Sequence, residues 1–104
     1  MPSSLTKDTI LKMLTAHKAQ LTAFGVQEIG LFGSYVRNQA CIESDIDLLV
    51  DIRKDKKTLR NYLNIVYFPE ELFNNKVELV TKQSLSKYIG PHILKTVEYV
   101  PIAD

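Results

Sequence analysis

Cysteine, long apolar runs and an excess of charge of one sign are nearly absent from this sequence of 104 residues. The single cysteine, Cys41, cannot form an intramolecular disulfide, and no cluster of Cys and His residues is present that would bind zinc. No uncharged stretch is long enough to cross a bilayer, and the first residues lack the apolar region of a secretory signal. These absences predict a small soluble protein of the cytoplasm with no membrane contact.

The charged residues are almost balanced, with 13 Lys plus Arg against 12 Asp plus Glu and a formal net charge of +1. This balance argues against direct binding of nucleic acid through a basic surface. Hydrophobic residues make up 45% of the chain, which is enough to form a core, and no linker or repeat divides the sequence. We therefore expect a single domain over residues 1–104.

Hydrophobic spacing predicts helices and strands in alternation. Helical spacing extends from Thr6, the expected N-cap, to Gly25. It recurs from Thr58 to Phe73, and we expect Pro69 to kink this run or to begin a second short helix, and Asn74-Asn75 to end it. His17 lies on the apolar face of the first helix and is interpreted as a core residue rather than a metal ligand. Strands are predicted over 26–32, 45–52 and 76–81, and a short helix capped by Ser34 follows the first of them. Loops are predicted over 38–44 and 53–57. Residues 84–89 form a segment that leads to a last helix from Pro91 to Val97. The order α-β-α-β-α-β-α predicts an α/β domain built on a small sheet.

The dipeptide Gly33-Ser34 stands between the first predicted strand and the short helix. Glycine permits a close approach of the backbone to a ligand, and the amides at a helix N-terminus attract anions. Together they suit a di- or triphosphate. Taken by itself, however, the dipeptide is more typical of an ordinary turn between a strand and a helix.

Asp45 and Asp47 begin the clearest predicted strand, whose other face is wholly apolar. Residues two apart on a strand point the same way, so both carboxylates are expected on one surface. Paired carboxylates repel each other and are favoured when a cation such as Mg²⁺ neutralises them. An isolated pair of this kind is more often two exposed acids. Asp51 shares the face one step further along and is interpreted as a surface residue.

The two motifs stand together in one unit, and this unit resembles the minimal nucleotidyltransferases, a branch of the DNA polymerase β-like nucleotidyltransferase superfamily. The stretches 31–37 (LFGSYVR) and 44–50 (SDIDLLV) match the family signature without gaps. Residues 76–81 (KVELVT) resemble its third motif, and residues 88–100 resemble its usual ending. The resemblance covers nearly the whole chain, and it implies the nucleotidyltransferase fold, a small mixed β-sheet flanked by helices.

The resemblance also implies roles for individual residues. Gly33 and Ser34 are expected to hold the β- and γ-phosphates of ATP, and Asp45 and Asp47 are expected to bind two Mg²⁺ ions. One ion would organise the triphosphate and the other would activate the attacking hydroxyl. Arg37 belongs to the motif and is expected either to contact phosphate or to form a structural salt bridge.

Glu78 is the point at which this chain departs from the family, whose members usually have aspartate there. On the polar face of the third predicted strand it still fits a catalytic carboxylate, as a metal ligand or a general base. It is alternatively a surface acid of an edge strand. One extra methylene moves the carboxylate by roughly 1–1.5 Å, and a misplacement of about 1 Å can cost on the order of 10²-fold in rate.

Proteins of this family commonly act as antitoxins of HEPN-domain ribonuclease toxins. The resemblance therefore implies an adenylyltransferase that carries AMP from ATP to a tyrosine of such a toxin, in a hetero-oligomeric pair. Two alternatives stay open. The first is an antitoxin that acts by binding alone, which the Glu78 replacement motivates. The second is transfer to a small molecule of the aminoglycoside type, against which the short chain argues because little material is left for an acceptor pocket.

Overall fold

The computed structural model describes residues 5–37, 45–82 and 90–100. In these ranges the chain forms helices and strands in the order α1 (Lys7–Ala16), α2 (Lys18–Ala23), β1 (Val26–Phe32), β2 (Ile46–Ile52), α3 (Leu59–Phe73), β3 (Val77–Thr81), α4 (Gly90–Thr96) and β4 (Glu98–Val100). Short 3-10 turns follow β1 (Gly33–Tyr35) and β2 (Lys54–Lys56). The loop predicted over 38–44 and the segment predicted over 84–89 lie outside the described residues.

The strands form one mixed sheet in the order β3-β2-β1-β4. Strand β1 pairs antiparallel with β2 on one side and with β4 on the other, whereas β2 and β3 run parallel. This architecture confirms the predicted α/β class with a small mixed sheet flanked by helices. The predicted element order was incomplete, since it ended in a helix and missed β4. A strand of three residues is too short to show alternation, and β4 is defined by its pairing with β1.

The hydrophobic core lies between the helices and one face of the sheet. The predicted alternation along β2 is confirmed, because Ile46, Leu48, Val50 and Ile52 are all buried on this face. Burying one such side chain stabilises the fold by roughly 1.5–3 kcal/mol. The core cluster also contains Ile10, Leu14, Leu21, Val26, Ile29, Leu31, Tyr35, Ile65, Phe73, Val77 and Val100.

The first helical region begins as predicted, with the Thr6 hydroxyl accepting a hydrogen bond from the Thr9 amide at 3.2 Å. The region is divided into α1 and α2 at His17, which the apolar spacing did not predict. His17 is half-buried rather than fully in the core. Its Nδ1 lies 2.8 Å from the Met13 carbonyl oxygen, and its ring packs edge-on against Phe68 with the centroids 5.6 Å apart.

Helix α3 continues through Pro69, so the second short helix predicted as one outcome at this proline does not form. Proline inside a helix removes one backbone hydrogen bond and costs about 3 kcal/mol. Here Pro69 is buried on the same face as Ile65 and Phe73, and the burial of this face against the sheet offsets the cost. No helix in the described part of the chain is long and apolar enough to span a bilayer.

The opposite face of the sheet holds the polar side chains of β2 at its two ends and an apolar centre. Leu49 is fully buried there, and the side chain of Val97 lies against Gly30, where a Cβ would come within 2.6 Å of it. Asp51, near the end of β2, accepts a hydrogen bond from Gln27 at 2.7 Å. Asp47, near the start of β2, lies at the other end of this face, where β1 ends and β3 begins.

Candidate active site

The turn after β1 begins at Gly33, whose φ of +81° lies in the left-handed region that glycine adopts at little cost. The predicted short helix is a single 3-10 turn, and Ser34 is its half-buried second residue rather than its cap. The residue before the turn is Phe32, in extended conformation and without a side-chain cap. The amide groups available to an anion are therefore those of the turn itself rather than those of a regular α-helix.

Asp47 lies directly against this turn. It pairs with Phe32 in the sheet, so its side chain lies beside the residue that follows Phe32, which is Gly33. A Cβ built on Gly33 would lie 2.9 Å from the carboxyl carbon of Asp47 and closer still to its Oδ2. The carboxylate thus occupies the space that any other residue at position 33 would need for its side chain. The fold brings the two sequence motifs into contact at this point.

Three carboxylates, Asp45, Asp47 and Glu78, lie at this end of the sheet, and we refer to them as the acidic set. Glu78 is the parallel-sheet partner of Asp47, and Asp45 precedes Asp47 by two residues at the start of β2. A hydrogen bond of 2.9 Å from the Ile46 amide to the Lys76 carbonyl holds the starts of the two strands together. Glu78 is exposed, whereas Asp45 and Asp47 are half-buried.

The electrostatics of the acidic set centre on Asp47, whose pKa is raised from 3.8 to about 6. Burial is the largest cause, because it removes water from the charged form; repulsion by Glu78 and then by Asp45 adds to it. Arg37 acts in the opposite direction and lowers the pKa of Asp47. Negative charge is therefore concentrated beside the Gly33 turn at a cost to the folded protein, as is common at functional sites.

Arg37 is exposed, four residues beyond the start of the turn, and its effect on Asp47 places its guanidinium within electrostatic range of the acidic set. The Arg37 amide also donates to the Gly33 carbonyl at 3.4 Å, which closes the turn. The position is compatible with both predicted roles of Arg37, phosphate contact and pairing with an acid. Asp51, interpreted from the sequence as a surface residue, lies apart from the acidic set near the other end of β2.

Within residues 5–37, 45–82 and 90–100, no three His, Cys, Asp or Glu side chains converge tightly enough to hold a metal ion by themselves. The oxygen-only donors of the acidic set nevertheless suit Mg²⁺, which takes one or two carboxylates and fills its other positions with water and substrate phosphates. Burial and the neighbouring carboxylates raise the pKa of Asp47, and a bound cation would favour its ionised form. The residues present thus fit the cation chemistry, and the assignment of ligands stays a prediction.

One contact at the site was missed by the sequence reasoning. Tyr35, the last residue of the turn, is buried, and its hydroxyl accepts a hydrogen bond of 3.2 Å from Asn75 Nδ2. Asn75 lies in the connection that leads from α3 to β3 and hence to Glu78. The sequence predicted only that Asn75 ends a helix, and no spacing pattern relates residues 35 and 75.

Comparison with known proteins identifies the family of this chain. The family model for the nucleotidyltransferase domain matches residues 13–102. The protein adenylyltransferase MntA of Thermococcus cleftensis is 43% identical over 97 residues, covering 92% of this chain and 97% of the relative. The chain therefore belongs to the nucleotidyltransferase domain family, and the predicted class of AMP-transferring enzyme is confirmed.

Solved structures show the same fold. A structure described as a candidate minimal nucleotidyltransferase superposes with a TM-score of 0.71 at 24% identity, over 93% of this chain and 98% of the other. A toxin–antitoxin complex with AMP-PNP matches with a TM-score of 0.64 at 22% identity, over 82% and 70% of the two chains. A complex of the tri-AMPylated HEPN toxin of Shewanella oneidensis with its MNT antitoxin matches with a TM-score of 0.59 at 20% identity, over 86% and 70%.

Proposed function

We propose that this chain is the antitoxin of a toxin–antitoxin pair and that it transfers AMP from ATP to a tyrosine hydroxyl of a HEPN-domain ribonuclease toxin. Its relative from Thermococcus cleftensis is named a protein adenylyltransferase, and a protein of the same fold stands in a complex with an AMPylated HEPN toxin. The observation that carries the proposal is the contact of Asp47 with the backbone of Gly33. This contact joins the carboxylate pair to the turn that is expected to bind phosphate.

In this proposal the turn at Gly33 and Ser34 binds the β- and γ-phosphates of ATP through its amides and the Ser34 hydroxyl. Asp45 and Asp47 are the residues that would hold two Mg²⁺ ions. Bound there, Mg²⁺ would neutralise triphosphate charge and lower the pKa of the attacking hydroxyl. Arg37 contributes a further positive charge at the edge of the site.

The transfer forms a bond between the acceptor oxygen and the α-phosphorus and breaks the bond to the β-phosphate, so that pyrophosphate leaves. The hydroxyl proton passes to a carboxylate or to water, and Glu78, exposed beside Asp47, is positioned for such a role. We assign the acceptor to a partner protein, because the relative from Thermococcus cleftensis is named a protein adenylyltransferase.

The proposal is tested by incubating the chain with ATP labelled at the α-phosphate, Mg²⁺ and the HEPN-domain toxin that we expect to be encoded beside it. We expect label on the toxin and a mass increase of one or more AMP groups on a tyrosine-containing peptide. The double variant Asp45→Asn/Asp47→Asn should transfer nothing. Asp51→Asn, the same change at the far end of β2, is the matched control and should transfer normally.

The alternatives predict different results from the same experiment. Labelling that survives the double variant would remove the site assignment. Neutralisation of the toxin by the double variant without any mass shift would establish an antitoxin that acts by binding alone. Labelling of an aminoglycoside in the absence of any protein partner would establish transfer to a small molecule.

Glu78 is expected to contribute its carboxylate to the reaction. Glu78→Gln keeps the shape of the side chain and removes its ability to accept a proton, and should lower the rate of transfer by about 10²-fold or more. Glu78→Asp keeps the charge but shortens the side chain by one methylene, so the carboxylate moves by about 1–1.5 Å and the rate of transfer should fall, by up to about 10²-fold. Glu71→Gln, at an exposed glutamate on α3, is the control. Full activity of Glu78→Gln would show that Glu78 is a surface acid only.

A further inference from the structure

Two side-chain hydrogen bonds connect the end of α3 and the start of β3 to their surroundings. Asn75 Nδ2 donates to the Tyr35 hydroxyl at 3.2 Å, and the Val77 amide donates to Glu70 Oε2 at 3.1 Å. The Asn75 amide also donates to the Glu70 carbonyl at 3.3 Å. The connection from α3 to β3 is therefore attached at one end to α3 and, through Asn75, to the turn that starts at Gly33.

Asn75 stands three residues before Glu78, and Tyr35 stands two residues after Gly33. The link between them joins the segment that presents Glu78 to the segment expected to hold the ATP phosphates. The backbone pairing of β2 with β3 places Glu78 beside Asp47 in the sheet. Because β3 is an edge strand of the described sheet, β2 is its one strand neighbour there.

We propose that Tyr35 and Asn75 are positioning residues for AMP transfer. Their hydrogen bond sets the distance between the turn at Gly33 and the Glu78 carboxylate. Tyr35 and Asn75 themselves take no part in the reaction. This inference rests on the proposed function, since it assigns Glu78 a part in the chemistry. In the proposed function the turn and the aspartates hold ATP, and Glu78 acts on the acceptor hydroxyl. A displacement of Glu78 should therefore lower the rate of AMP transfer more than the affinity for ATP.

The test compares Tyr35→Phe and Asn75→Ala in the full chain. Each should lower kcat for AMP transfer by about 10-fold, a fraction of the roughly 10²-fold cost of a 1 Å misplacement, and should change the KM for ATP by less than about 3-fold. Asn61→Ala is the matched control, because it removes an asparagine hydrogen bond of 2.8 Å to the Lys56 carbonyl at the other end of α3. It should leave both constants unchanged.

A merely structural role is separated from positioning by repeating the changes in the Glu78→Gln background. If Asn75 and Tyr35 act through Glu78, their effect on kcat disappears there, while any loss of melting temperature persists. An equal fall in kcat in both backgrounds would overturn the inference.

A readout that needs no activity separates this inference from the proposed function. The NMR shift of the Glu78 carboxyl carbon should move in Tyr35→Phe and Asn75→Ala and stay in place in Asn61→Ala. An unmoved Glu78 signal in all three variants overturns the positioning role. Absence of transfer by the wild-type chain, with the Glu78 signal moving as expected, overturns the proposed function instead.

Discussion

Asp47→Asn is expected to abolish AMP transfer and, in the same protein, to raise the melting temperature in the absence of ligands. The loss of activity follows from the position of Asp47 against the Gly33 turn at the centre of the acidic set. In the proposed function Asp47 would hold Mg²⁺ that stabilises the transition state by several kcal/mol, and its loss would correspond to about 10³-fold or more in rate. The gain in stability follows because the ionised Asp47 is half-buried and is repelled by Glu78 and Asp45.

The sign of the pH dependence follows from the direction of the shift. The pKa of Asp47 is about 6 in the folded protein and 3.8 is its ordinary value, so the folded state holds this proton more tightly. The contribution of this bound proton to the free energy of unfolding is therefore fully present below about pH 4 and is lost as pH rises through 6. After allowance for solvent screening of a half-exposed group, we expect a penalty of about 1–2 kcal/mol at pH 7. In a domain of this size each kcal/mol shifts Tm by about 4–8 °C.

Thermal unfolding of the two proteins between pH 3.5 and 8 measures this effect directly. Asp47→Asn should melt above the wild type at pH 7–8, and the difference should vanish near pH 4. Asp51→Asn, on the same strand, should keep its activity. Addition of Mg²⁺ and ATP should raise the Tm of the wild type more than that of Asp47→Asn. A wild type that melts above Asp47→Asn at pH 8 without ligands would contradict the electrostatic account.

Gly33→Ala is expected to destabilise the fold and to remove AMP transfer together. The φ of +81° at Gly33 is strained for alanine, at about 1–2 kcal/mol, and the added methyl group would meet the Asp47 carboxylate. Relief of this clash must move either the turn or the carboxylate. Because a displacement of about 1 Å at a reacting centre can cost on the order of 10²-fold, we expect at least that loss in the rate of transfer.

Gly25→Ala is the matched control for this change. Gly25 also has a left-handed φ, of +96°, and a Cβ there would meet the Lys56 side chain, with 2.9 Å to its Cγ. Both variants should therefore lose stability, yet Gly25→Ala should keep its activity when both are measured well below their melting temperatures. Equal activity of the two variants would show that the Gly33 turn has no part in the site.

The predicted site residues came from two short motifs and a resemblance, and the structure shows what those motifs could not. Gly33 and Asp47 were predicted as a phosphate turn and a metal ligand, but their direct contact arises from the pairing of Phe32 with Asp47 between β1 and β2. Glu78 was predicted on a polar strand face, and its place beside Asp47 depends on β3 running parallel to β2. The roles of these residues stay predictions until the variants above are measured.

Where the secondary structure was mispredicted, long-range packing outweighed local propensity. Pro69 is compatible with a continuous α3 because its face is buried against the sheet, and β4 is a strand because it pairs with β1. The Tyr35–Asn75 hydrogen bond joins residues forty positions apart, and no periodicity relates them.

The sequence by itself determined the helices and strands that have clear hydrophobic periodicity, and it determined which side chains are available for the site. The alternation of apolar residues along β2 separates its apolar face from Asp47. The motifs contain the side chains that suit phosphate and cation chemistry. Only the tertiary structure decided which of these groups meet. Strand order, direction and register are properties of pairs of segments, and the burial and mutual repulsion that raise the pKa of Asp47 exist only after those pairs have formed.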